Sequence, residues 1–372
     1  MTDLDETRLI YVAPATGRSG VGDYADDFVE AVAPHFANVV DYRIDTEGAE
    51  TARDVVAHAR AVRRLALESH RDGPTVVHFE QSGGSLSVFW SAALPREIPV
   101  TATVHDPPHP VWWPYKTAGV ARHRLLHHAI HYPFRSISTA VERRVMSHRT
   151  VFALTDTGAR ALTTVLPRSR AESARIFVPE RAPAPPVTDR PLAVGMFGHV
   201  YKGKGFESIE KLRAELPSDI GLVVAGRGTT SLPAVEGVTV FGEVNGADED
   251  RFFASIRLIL VPYSKHNPYG RAYPASSAVT RSYAYGTPIV CLTEGALAET
   301  VARGGAVGVD HIDDLAATVD GVVRDDEVMN RLGHAVARVA AEDSLANCVR
   351  PFLDEWARAV APIGVTPELD SR

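Results

Sequence analysis

One apolar run of the sequence reads Pro191-Leu192-Ala193-Val194-Gly195-Met196-Phe197-Gly198, and it stops at His199-Val200-Tyr201-Lys202-Gly203-Lys204-Gly205-Phe206-Glu207. This order is typical of a buried strand, a basic glycine loop and the start of a helix. Such a turn directs backbone N–H groups, a helix N-terminus and a lysine to one point, which suits a diphosphate. Two further strand-and-turn units follow, and then a helix that ends at Tyr285-Gly286-Thr287-Pro288-Ile289-Val290.

The same alternation of strands and helices runs through the rest of the chain. The first half predicts a strand at Arg8–Ala13, a helix from about Asp23 to Pro34 and a helix at Thr51–Ser69, with four more strands at Val39–Ile44, Thr75–Phe79, Val100–Val104 and Thr150–Leu154. The second half predicts strands at Leu222–Ala225, Val238–Phe241, Leu258–Pro262, Ile289–Leu292 and Ala306–Val309, and an amphipathic helix at about Leu345–Val360. Alternation of this kind indicates parallel sheets covered by helices on both faces.

Composition adds mild limits. The chain has 372 residues, of which 45% are hydrophobic and 23% charged, so we expect about two soluble globular domains. A net charge of −7 argues against general binding of nucleic acid. No signal peptide or bilayer-length apolar stretch is evident, and Cys291 and Cys348 are too few for a disulfide framework. These features predict a cytoplasmic protein.

The order of elements and loops between Leu192 and Val301 resembles the C-terminal domain of retaining GT-B-fold glycosyltransferases of the group 1, or family 4-like, kind. The resemblance implies an α/β fold with two Rossmann-like domains whose parallel sheets face a central cleft. It places an N-terminal acceptor domain at 1–178, a linker at the proline-rich residues 179–190, a donor domain at 191–344, and a final helix at 345–362 that crosses back to the N-terminal domain.

The resemblance also implies a donor site in the basic loop. Relatives commonly carry an arginine just after the strand glycine, where this chain has His199, and a lysine about five positions later, which corresponds to Lys204. Lys202 adds a second positive charge. Such charge stabilises the diphosphate as the sugar–phosphate bond breaks. The alternative to a donor site is a solvated loop at the start of a helix, without a ligand.

The chain departs from these relatives at their paired glutamates, which are separated by seven residues. Tyr273 and Arg281 occupy these positions, so the motif is degenerate. The resemblance implies that Tyr273 contacts the nucleotide or sugar, whereas Arg281 cannot accept the hydrogen bonds of a ribose. Arg281 is expected either to face the diphosphate or to form a surface salt bridge. Ser276 and Ser277 begin a helix, and their N–H groups could bind an anion.

In the first half, Gly20-Val21-Gly22-Asp23-Tyr24-Ala25 allows three interpretations. It matches a dinucleotide fingerprint, with acids at Asp41 and Asp45 about 20 residues on. However, Pro14 to Ser19 separate it from the strand, and a longer loop is what the glycosyltransferase resemblance implies, with Gly20 and Gly22 allowing donor phosphates and acceptor to approach. A plain turn, with Ser19 or Asp23 capping the helix, is the third interpretation.

Thr103-Val104-His105-Asp106-Pro107-Pro108-His109 lies at the carboxyl end of a strand, where α/β sites gather. Relatives have a similar His-Asp, which implies that His105 contacts the transferred sugar and that Asp106 holds the loop or the acceptor. A histidine that is merely hydrogen-bonded in a turn is the alternative. His105 and His109 lack an evident third metal ligand.

Weaker signals complete the candidate site. Val244 follows a strand where relatives bind the base, and Thr293 and Glu294 follow the last core strand, near the sugar. Asp248-Glu249-Asp250 has the look of a metal-binding D-x-D, but acidic residues at a helix start explain it better. Trp112 and Trp113 could stack on an acceptor sugar or anchor at an interface.

Residues 116–149 contain one lysine, six arginines and five histidines against a single acid, Glu142. His123, His127 and His131 share one face of a helix. A metal site is one interpretation, and a solvated or dimer-forming surface is another. The third is a basic face that meets an anionic acceptor or a membrane carrying a lipid-linked one, which makes peripheral contact with the inner face of a membrane possible.

The sequence therefore predicts transfer of a sugar, of the hexose class, from a nucleoside diphosphate sugar to a hydroxyl of a glycan, lipid-linked or small-molecule acceptor. The resemblance implies retention of configuration without a metal or cofactor, with Lys204 stabilising the diphosphate and His105 positioning the sugar. A non-catalytic regulatory or scaffolding relative is the alternative, motivated by the missing glutamates and arginine.

Overall fold

The computed structural model describes residues 4–17, 19–45, 50–111, 117–121, 124–201, 203–263, 266–267 and 270–361. These residues form two compact units. The first unit contains the chain up to Leu154, residues 159–174 and the residues from Val349 onward. The second contains Thr155–Gly158 and Arg175–Cys348.

The first unit is built on a parallel sheet of six strands in the order β2-β1-β3-β4-β5-β6. The strands are β1 (Arg8–Pro14), β2 (Asn38–Ile44), β3 (Thr75–Gln81), β4 (Val100–Val104), β5 (Thr150–Ala153) and β6 (Arg170–Ser173). The helices are α1 (Gly20–Val32), α2 (Ala52–Asp72), α3 (Leu86–Ser91), α4 (Ala118–Ala121), α5 (Arg124–Val145) and α6 (Asp156–Val165), whose first residues belong to the second unit.

Alternation along these strands divides the core of the first unit between two faces. One face carries aliphatic residues such as Ile10, Val77 and Val151, packed with residues of α2, α3 and α6. The opposite face carries an aromatic cluster of Tyr11, Phe28, Phe152, Phe352 and Trp356, joined by His78. The last two aromatic residues come from the final helix, which thereby completes this core.

The second unit has its own six-stranded parallel sheet in the order β14-β13-β10-β7-β8-β9. Its strands are β7 (Ala193–Phe197), β8 (Gly221–Ala225), β9 (Val238–Gly242), β10 (Leu258–Val261), β13 (Ile289–Leu292) and β14 (Ala306–Val309), and β11 (His266–Asn267) with β12 (Gly270–Arg271) forms a small antiparallel pair. The helices are α7 (Ile209–Glu215), α8 (Ala247–Ala254), α9 (Ser277–Ala284), α10 (Leu297–Arg303), α11 (Leu315–Val323) and α12 (Asp326–Glu342). The last helix, α13 (Leu345–Val360), begins in this unit, and its residues from Val349 onward belong to the first unit.

Apolar cores cover both faces of this second sheet, as expected for parallel strands. Arg190 anchors the proline-rich stretch before β7 to the second unit, and this arginine is 4% exposed. The guanidinium donates to the carbonyl oxygens of Phe253, Ile256 and Tyr285. Burial lowers the pKa of Arg190 to about 10, and these acceptors satisfy the buried charge.

The sequence predicted the α/β class, the parallel sheets and most strands correctly, and α13 has the predicted bounds. Some details differ. β3 continues two residues past Phe79 to Gln81, α1 begins at Gly20 rather than at Asp23, and α9 begins at Ser277. Strand β6 was not predicted, because it lies at the sheet edge and three of its four residues, Arg170, Glu172 and Ser173, are polar.

Candidate functional site

Strand order shows where each unit is best suited to bind a ligand. In open α/β sheets, ligands bind beyond the carboxyl ends of the strands at the point where the strand order reverses. That point lies between β1 and β3 in the first unit and between β7 and β10 in the second. The predicted glycine loop follows β1, His105 follows the neighbouring β4, and the basic loop follows β7.

Lys204 lies at the reversal point of the second sheet. Its Nζ atom is 3.9 Å from the ring centroid of Tyr263, which follows β10, and 5.3 Å from that of Tyr201. Tyr263 is buried and Lys204 is half-buried. The ammonium group is thus held over an aromatic face by a cation–π contact, and is not directed into bulk solvent.

Glycines bring the strand ends of this unit together. Gly205 has φ +84°, and a Cβ atom there would lie 2.4 Å from Cγ of Pro262. Gly226 has φ +127°, and its Cβ would lie 2.1 Å from the carbonyl oxygen of Gly198. The basic loop therefore packs directly against the segments that follow β8 and β10, which fixes the position of its lysine.

His199 and Val244 lie beside the same strand ends. His199 is half-buried and contributes to the low pKa of Glu243, which is caused first by a hydrogen bond from Arg227. The Arg227–Glu243 pair has an Nη2–Oε1 distance of 2.8 Å. Val244 follows in the chain and is 6% exposed. Glu243 is therefore already paired with a cation, Arg227.

The N-terminus of α9 also lies at this edge, because α9 is the helix that follows β10. Ser276 is its N-cap residue by position, yet its side chain makes no capping hydrogen bond. The Ser276 Oγ atom is buried and has no partner among the described residues. Ser277 is exposed in the first turn, and the carbonyl of Tyr273, just before the helix, accepts a hydrogen bond from Thr155.

Arg281 is held by an acid of the D-x-D-like stretch. Its Nη1 atom lies 2.7 and 2.8 Å from the two carboxylate oxygens of Glu249, which is 2% exposed. Arg181 lies 3.6 Å from the same carboxylate. Asp250 accepts a hydrogen bond from Tyr285. Asp248 contacts Arg251, so all three acids of the D-x-D-like stretch contact side chains of their own unit.

Thr293 and Glu294 follow β13. The Thr293 hydroxyl donates to the carbonyl oxygen of Val309 at 3.2 Å, and it also contacts Asp310. The Glu294 carbonyl accepts from Leu297 N at the start of α10. Both residues lie at the carboxyl edge of the sheet, and only β10 separates their strand from the reversal point.

The glycine loop of the first unit is lined by acids. Ser19 caps α1 by accepting from Gly22 N at 3.4 Å, and Asp23 accepts from Gly17 N at 2.9 Å. A Cβ on Gly22 would lie 2.3 Å from the Ala15 carbonyl oxygen, whereas one on Gly20 would meet no described residue within 4 Å. Gly22 is therefore required by local packing, and Gly20 leaves space at the helix start.

The acid expected of a dinucleotide site is engaged elsewhere. Asp41 lies 2.6 Å from Nε of Arg43, whose guanidinium is also 3.1 Å from Asp26. Carboxylates of Asp23 and Asp26 border the glycine loop and would repel a pyrophosphate. These contacts weigh against a pyrophosphate at this loop, both in the dinucleotide interpretation and as the donor diphosphate expected at Gly20 and Gly22.

His105 follows β4 directly and is bound to a buried acid. Its Nε2 atom lies 2.7 Å from Oε2 of Glu80, whose side chain is 0% exposed. The other oxygen of Glu80 accepts from Tyr11 at 2.7 Å and lies 3.2 Å from Nε2 of His78. Burial favours the neutral acid, but hydrogen bonds from His105 and His78 outweigh it and hold the pKa of Glu80 well below its usual range.

Asp106 and His109 have partners of their own. Asp106 accepts from Gly83 N at 3.1 Å and so fastens the loop after β3. Nδ1 of His109 lies 2.8 Å from Oε2 of Glu142, and burial raises the pKa of that carboxyl. Within the described part of the chain, no group of three or more His, Cys, Asp and Glu side chains is arranged to hold a metal ion.

Several predicted residues lie outside the described residues, namely Lys202, Trp112 and Trp113, together with His123 of the basic region. None of the helices described is both long and apolar enough to cross a bilayer.

Sequence reasoning missed Glu80, His78 and Gln81. The signal for them was polar alternation at the end of an otherwise apolar strand, Val77-His78-Phe79-Glu80-Gln81. Both polar atoms of the Gln81 side chain are buried without a partner among the described residues. The pairing of Lys204 with Tyr263 was also missed, because the two are brought together by strand order alone.

Known proteins show the same architecture. No protein-family model matches the sequence, and no curated protein matches it. A sucrose-phosphate synthase from Thermosynechococcus elongatus superposes with a TM-score of 0.67 at 14% identity, covering 95% of this chain and 98% of that one. A glycosyltransferase from Rickettsia africae gives 0.65 at 12% identity, covering 96% and 99%.

Anabaena Alr3699/HepE in complex with UDP-glucose gives a TM-score of 0.63 at 11% identity, covering 94% of this chain and 99% of that one. At these identities the similarity concerns the fold. It extends over nearly the whole of each chain and includes both sheets. The chain therefore has the predicted GT-B fold, with two Rossmann-like domains of parallel strands.

Proposed function

We propose that this protein is a glycosyltransferase that moves a hexose from a nucleoside diphosphate sugar to a hydroxyl acceptor. One observation carries the proposal: Lys204 is held over Tyr263 at the reversal point of the second sheet, where a GT-B fold binds its ligand. The start of α9 lies at the same edge and is suited to an anion, and the Ser276 hydroxyl there has no partner among the described residues.

The diphosphate is the part of the donor that this edge suits best. The ammonium of Lys204 would offset the charge that develops on the diphosphate when the glycosidic bond breaks. Anabaena HepE, which shares the fold, has been crystallised with UDP-glucose and with UDP. We infer transfer with retention and without a metal, in which the departing phosphate helps to deprotonate the incoming hydroxyl on the same face of the sugar.

The first test is ligand binding. Thermal shift with UDP, GDP, ADP and dTDP identifies the base, because a ligand that binds the folded state raises its stability by mass action. The best nucleotide, linked to a panel of sugars, is then assayed for transfer and for donor hydrolysis. The anomeric configuration of the product, measured by NMR, tests retention, and activity in EDTA tests metal independence.

Lys204→Ala is expected to lower kcat by about 10² or more, because one charge contact in the transition state is lost. Lys211→Ala is the matched control, since Lys211 is a solvent-exposed lysine of α7 that pairs with Glu215 at 3.7 Å. Steady-state kinetics of both variants check this. Equal kcat in the Lys204 variant and the wild type would remove Lys204 from the mechanism.

A non-catalytic protein of the same fold is the second candidate. It is favoured by the Arg281–Glu249 ion pair, which occupies the place where relatives carry a ribose-binding glutamate. A protein of this kind would bind a nucleotide or nucleotide sugar and neither transfer nor hydrolyse it with any sugar or acceptor tested. Turnover that is lost in Lys204→Ala would exclude it.

A further inference from the structure

Glu80 is a point of convergence inside the first unit. It lies near the carboxyl end of β3, and its side chain is fully buried. Tyr11 and His78 reach one carboxylate oxygen, at 2.7 and 3.2 Å, and His105 reaches the other, at 2.7 Å. A buried carboxylate with three partners of this kind is stable as the anion, because each hydrogen bond to the charged form favours it.

The direction of each hydrogen bond follows from the chemistry of the groups. An ionised carboxylate only accepts, so the proton between Glu80 and His105 belongs to Nε2 of His105. By the same argument, Nε2 of His78 carries a proton, which faces both Oε1 of Glu80 at 3.2 Å and the hydroxyl oxygen of Thr103 at 3.0 Å. Nδ1 of His78 is then an acceptor for the Thr101 hydroxyl at 2.8 Å, which itself accepts from the indole N–H of Trp356 at 2.8 Å.

These assignments form one chain of hydrogen bonds from α13 to His105. Trp356 is 0% exposed and stacks in the aromatic cluster with Phe352. The end of this hydrogen-bond series at Trp356 therefore lies in a rigid core rather than in solvent. The ring of Tyr24 meets the edge of the His105 ring, with centroids 5.1 Å apart, and gives a second constraint. His105 is the partly accessible end, at 11% exposed.

The tautomer determines what His105 can bind. When Nε2 donates to Glu80, the remaining ring nitrogen of a neutral imidazole is an acceptor. An acceptor of this kind binds a group that carries a hydrogen, such as a hydroxyl. A phosphate oxygen offers no hydrogen, and the anion of Glu80 behind the ring repels it.

We propose that Glu80 is a positioning residue that fixes His105 as a hydrogen-bond acceptor, so that the group placed against His105 is a neutral sugar hydroxyl and not a phosphate. The assignment of the hydroxyl to a sugar rests on the proposed function. The tautomer does not, and the two can be tested separately.

The first experiment measures the tautomer in the full-length wild-type protein. Selective ¹⁵N labelling of histidine and a two-bond ¹H–¹⁵N correlation spectrum distinguish protonated from unprotonated ring nitrogens, and His105→Gln identifies the signals. We expect a protonated Nε2 and an unprotonated Nδ1. A proton on Nδ1, alone or together with Nε2, would overturn the proposal, and no variant of Glu80 is needed to see it.

The second experiment removes the charge of Glu80. Glu80→Gln is expected to leave His105 exchanging between tautomers, because an amide offers both a donor and an acceptor. Glu142→Gln is the matched control, since it removes the charge of another buried glutamate bonded to a histidine, His109. Unchanged His105 signals in Glu80→Gln would show that Glu80 does not fix the ring.

The third experiment identifies the ligand group by adding UDP-glucose or UDP to the labelled protein. UDP-glucose should shift the Nδ1 signal of His105, and UDP should not. An equal shift with UDP would place a phosphate at His105 and overturn the assignment. If neither compound nor any other nucleotide sugar binds, the proposed function fails, while the tautomer measurement still decides the role of Glu80.

Kinetics give a further readout. Glu80→Gln should lower kcat by about 10², the effect of misplacing a group by roughly 1 Å. KM for the nucleotide sugar should change less than kcat, because Lys204, the proposed diphosphate contact, is not among the partners of Glu80. Loss of binding without loss of kcat would contradict a positioning role.

Discussion

The glycine loops of the second unit show how single residues set the position of the candidate site. Gly205 adopts a left-handed conformation and packs against Pro262, so its hydrogen occupies a place that no side chain can take. Its neighbour Lys204 reaches Tyr263, the residue after that proline. The conformation of Gly205 therefore fixes the distance between the lysine and the end of β10.

Gly205→Ala is expected to destabilise the protein by roughly 1 to 3 kcal/mol, because a non-glycine residue is strained at this φ and its Cβ meets the Pro262 backbone. Gly333→Ala is the opposite case. Gly333 lies within α12, and a Cβ there meets nothing within 4 Å. The free energy of unfolding of Gly333→Ala should therefore exceed that of the wild type by about 0.5 to 1 kcal/mol. Urea unfolding of the two variants measures both values, and equal effects would refute the packing argument.

Arg281 gives a second prediction at this scale. Arg281→Met leaves Glu249 buried with Arg181 as the more distant cation, so a loss of about 3 to 5 kcal/mol is expected. Arg281→Met combined with Glu249→Leu should recover most of this loss, because the buried charge is then gone. Unfolding by urea compares the single and double variants. A double variant no more stable than the single one would show that Glu249 is not the cause.

Among the elements, α13 shows what sequence patterns can reveal. Its amphipathic pattern, with Phe352, Leu353 and Trp356, predicted both ends of the helix, because apolar spacing reports a buried helix face directly. Strand β6 lacks such a pattern. Glu80 could not be assigned from the sequence, because its partners Tyr11 and His105 lie 69 and 25 positions away and only sheet register brings them together.

Phe352→Ala should destabilise the protein by about 3 to 5 kcal/mol, the usual cost of emptying a buried aromatic site. Phe352 is 0% exposed and its ring centroid lies 4.2 Å from that of Phe152. Arg350→Ala, on the exposed face of the same helix, should change stability by about 0.5 kcal/mol or less. Thermal and urea unfolding of both variants test this. Similar losses in the two would mean that α13 contributes through its length and not its aromatic face.

Two buried glutamates of the first unit make the free energy of unfolding of the protein depend on pH in opposite directions. The pKa of Glu80 is depressed in the folded state, so its contribution is complete above its unfolded value near 4.5 and is lost as pH falls toward the folded value. The pKa of Glu142 is raised, so its contribution is complete below that value and is lost as pH rises through the folded value.

We therefore expect the wild type to lose stability more steeply than Glu80→Gln as pH falls below about 4.5. As pH rises above that value, the wild type should lose stability more steeply than Glu142→Gln, because the variant lacks a contribution that declines as pH rises. Urea unfolding followed by circular dichroism, at a series of pH values on both sides of this point, measures the slopes. Parallel curves for wild type and Glu80→Gln would show that Glu80 is not held as an anion.

The return of α13 to the first unit also has a consequence for biosynthesis. A ribosome makes the first strands long before it makes Phe352 and Trp356, so the unit that is begun first is finished last. The second unit, nearly continuous in sequence, can reach its native state while the nascent chain is still lengthening. Until the last helix emerges, the aromatic face of the earlier sheet stays uncovered, and this is the interval in which a chaperone would have most to shield.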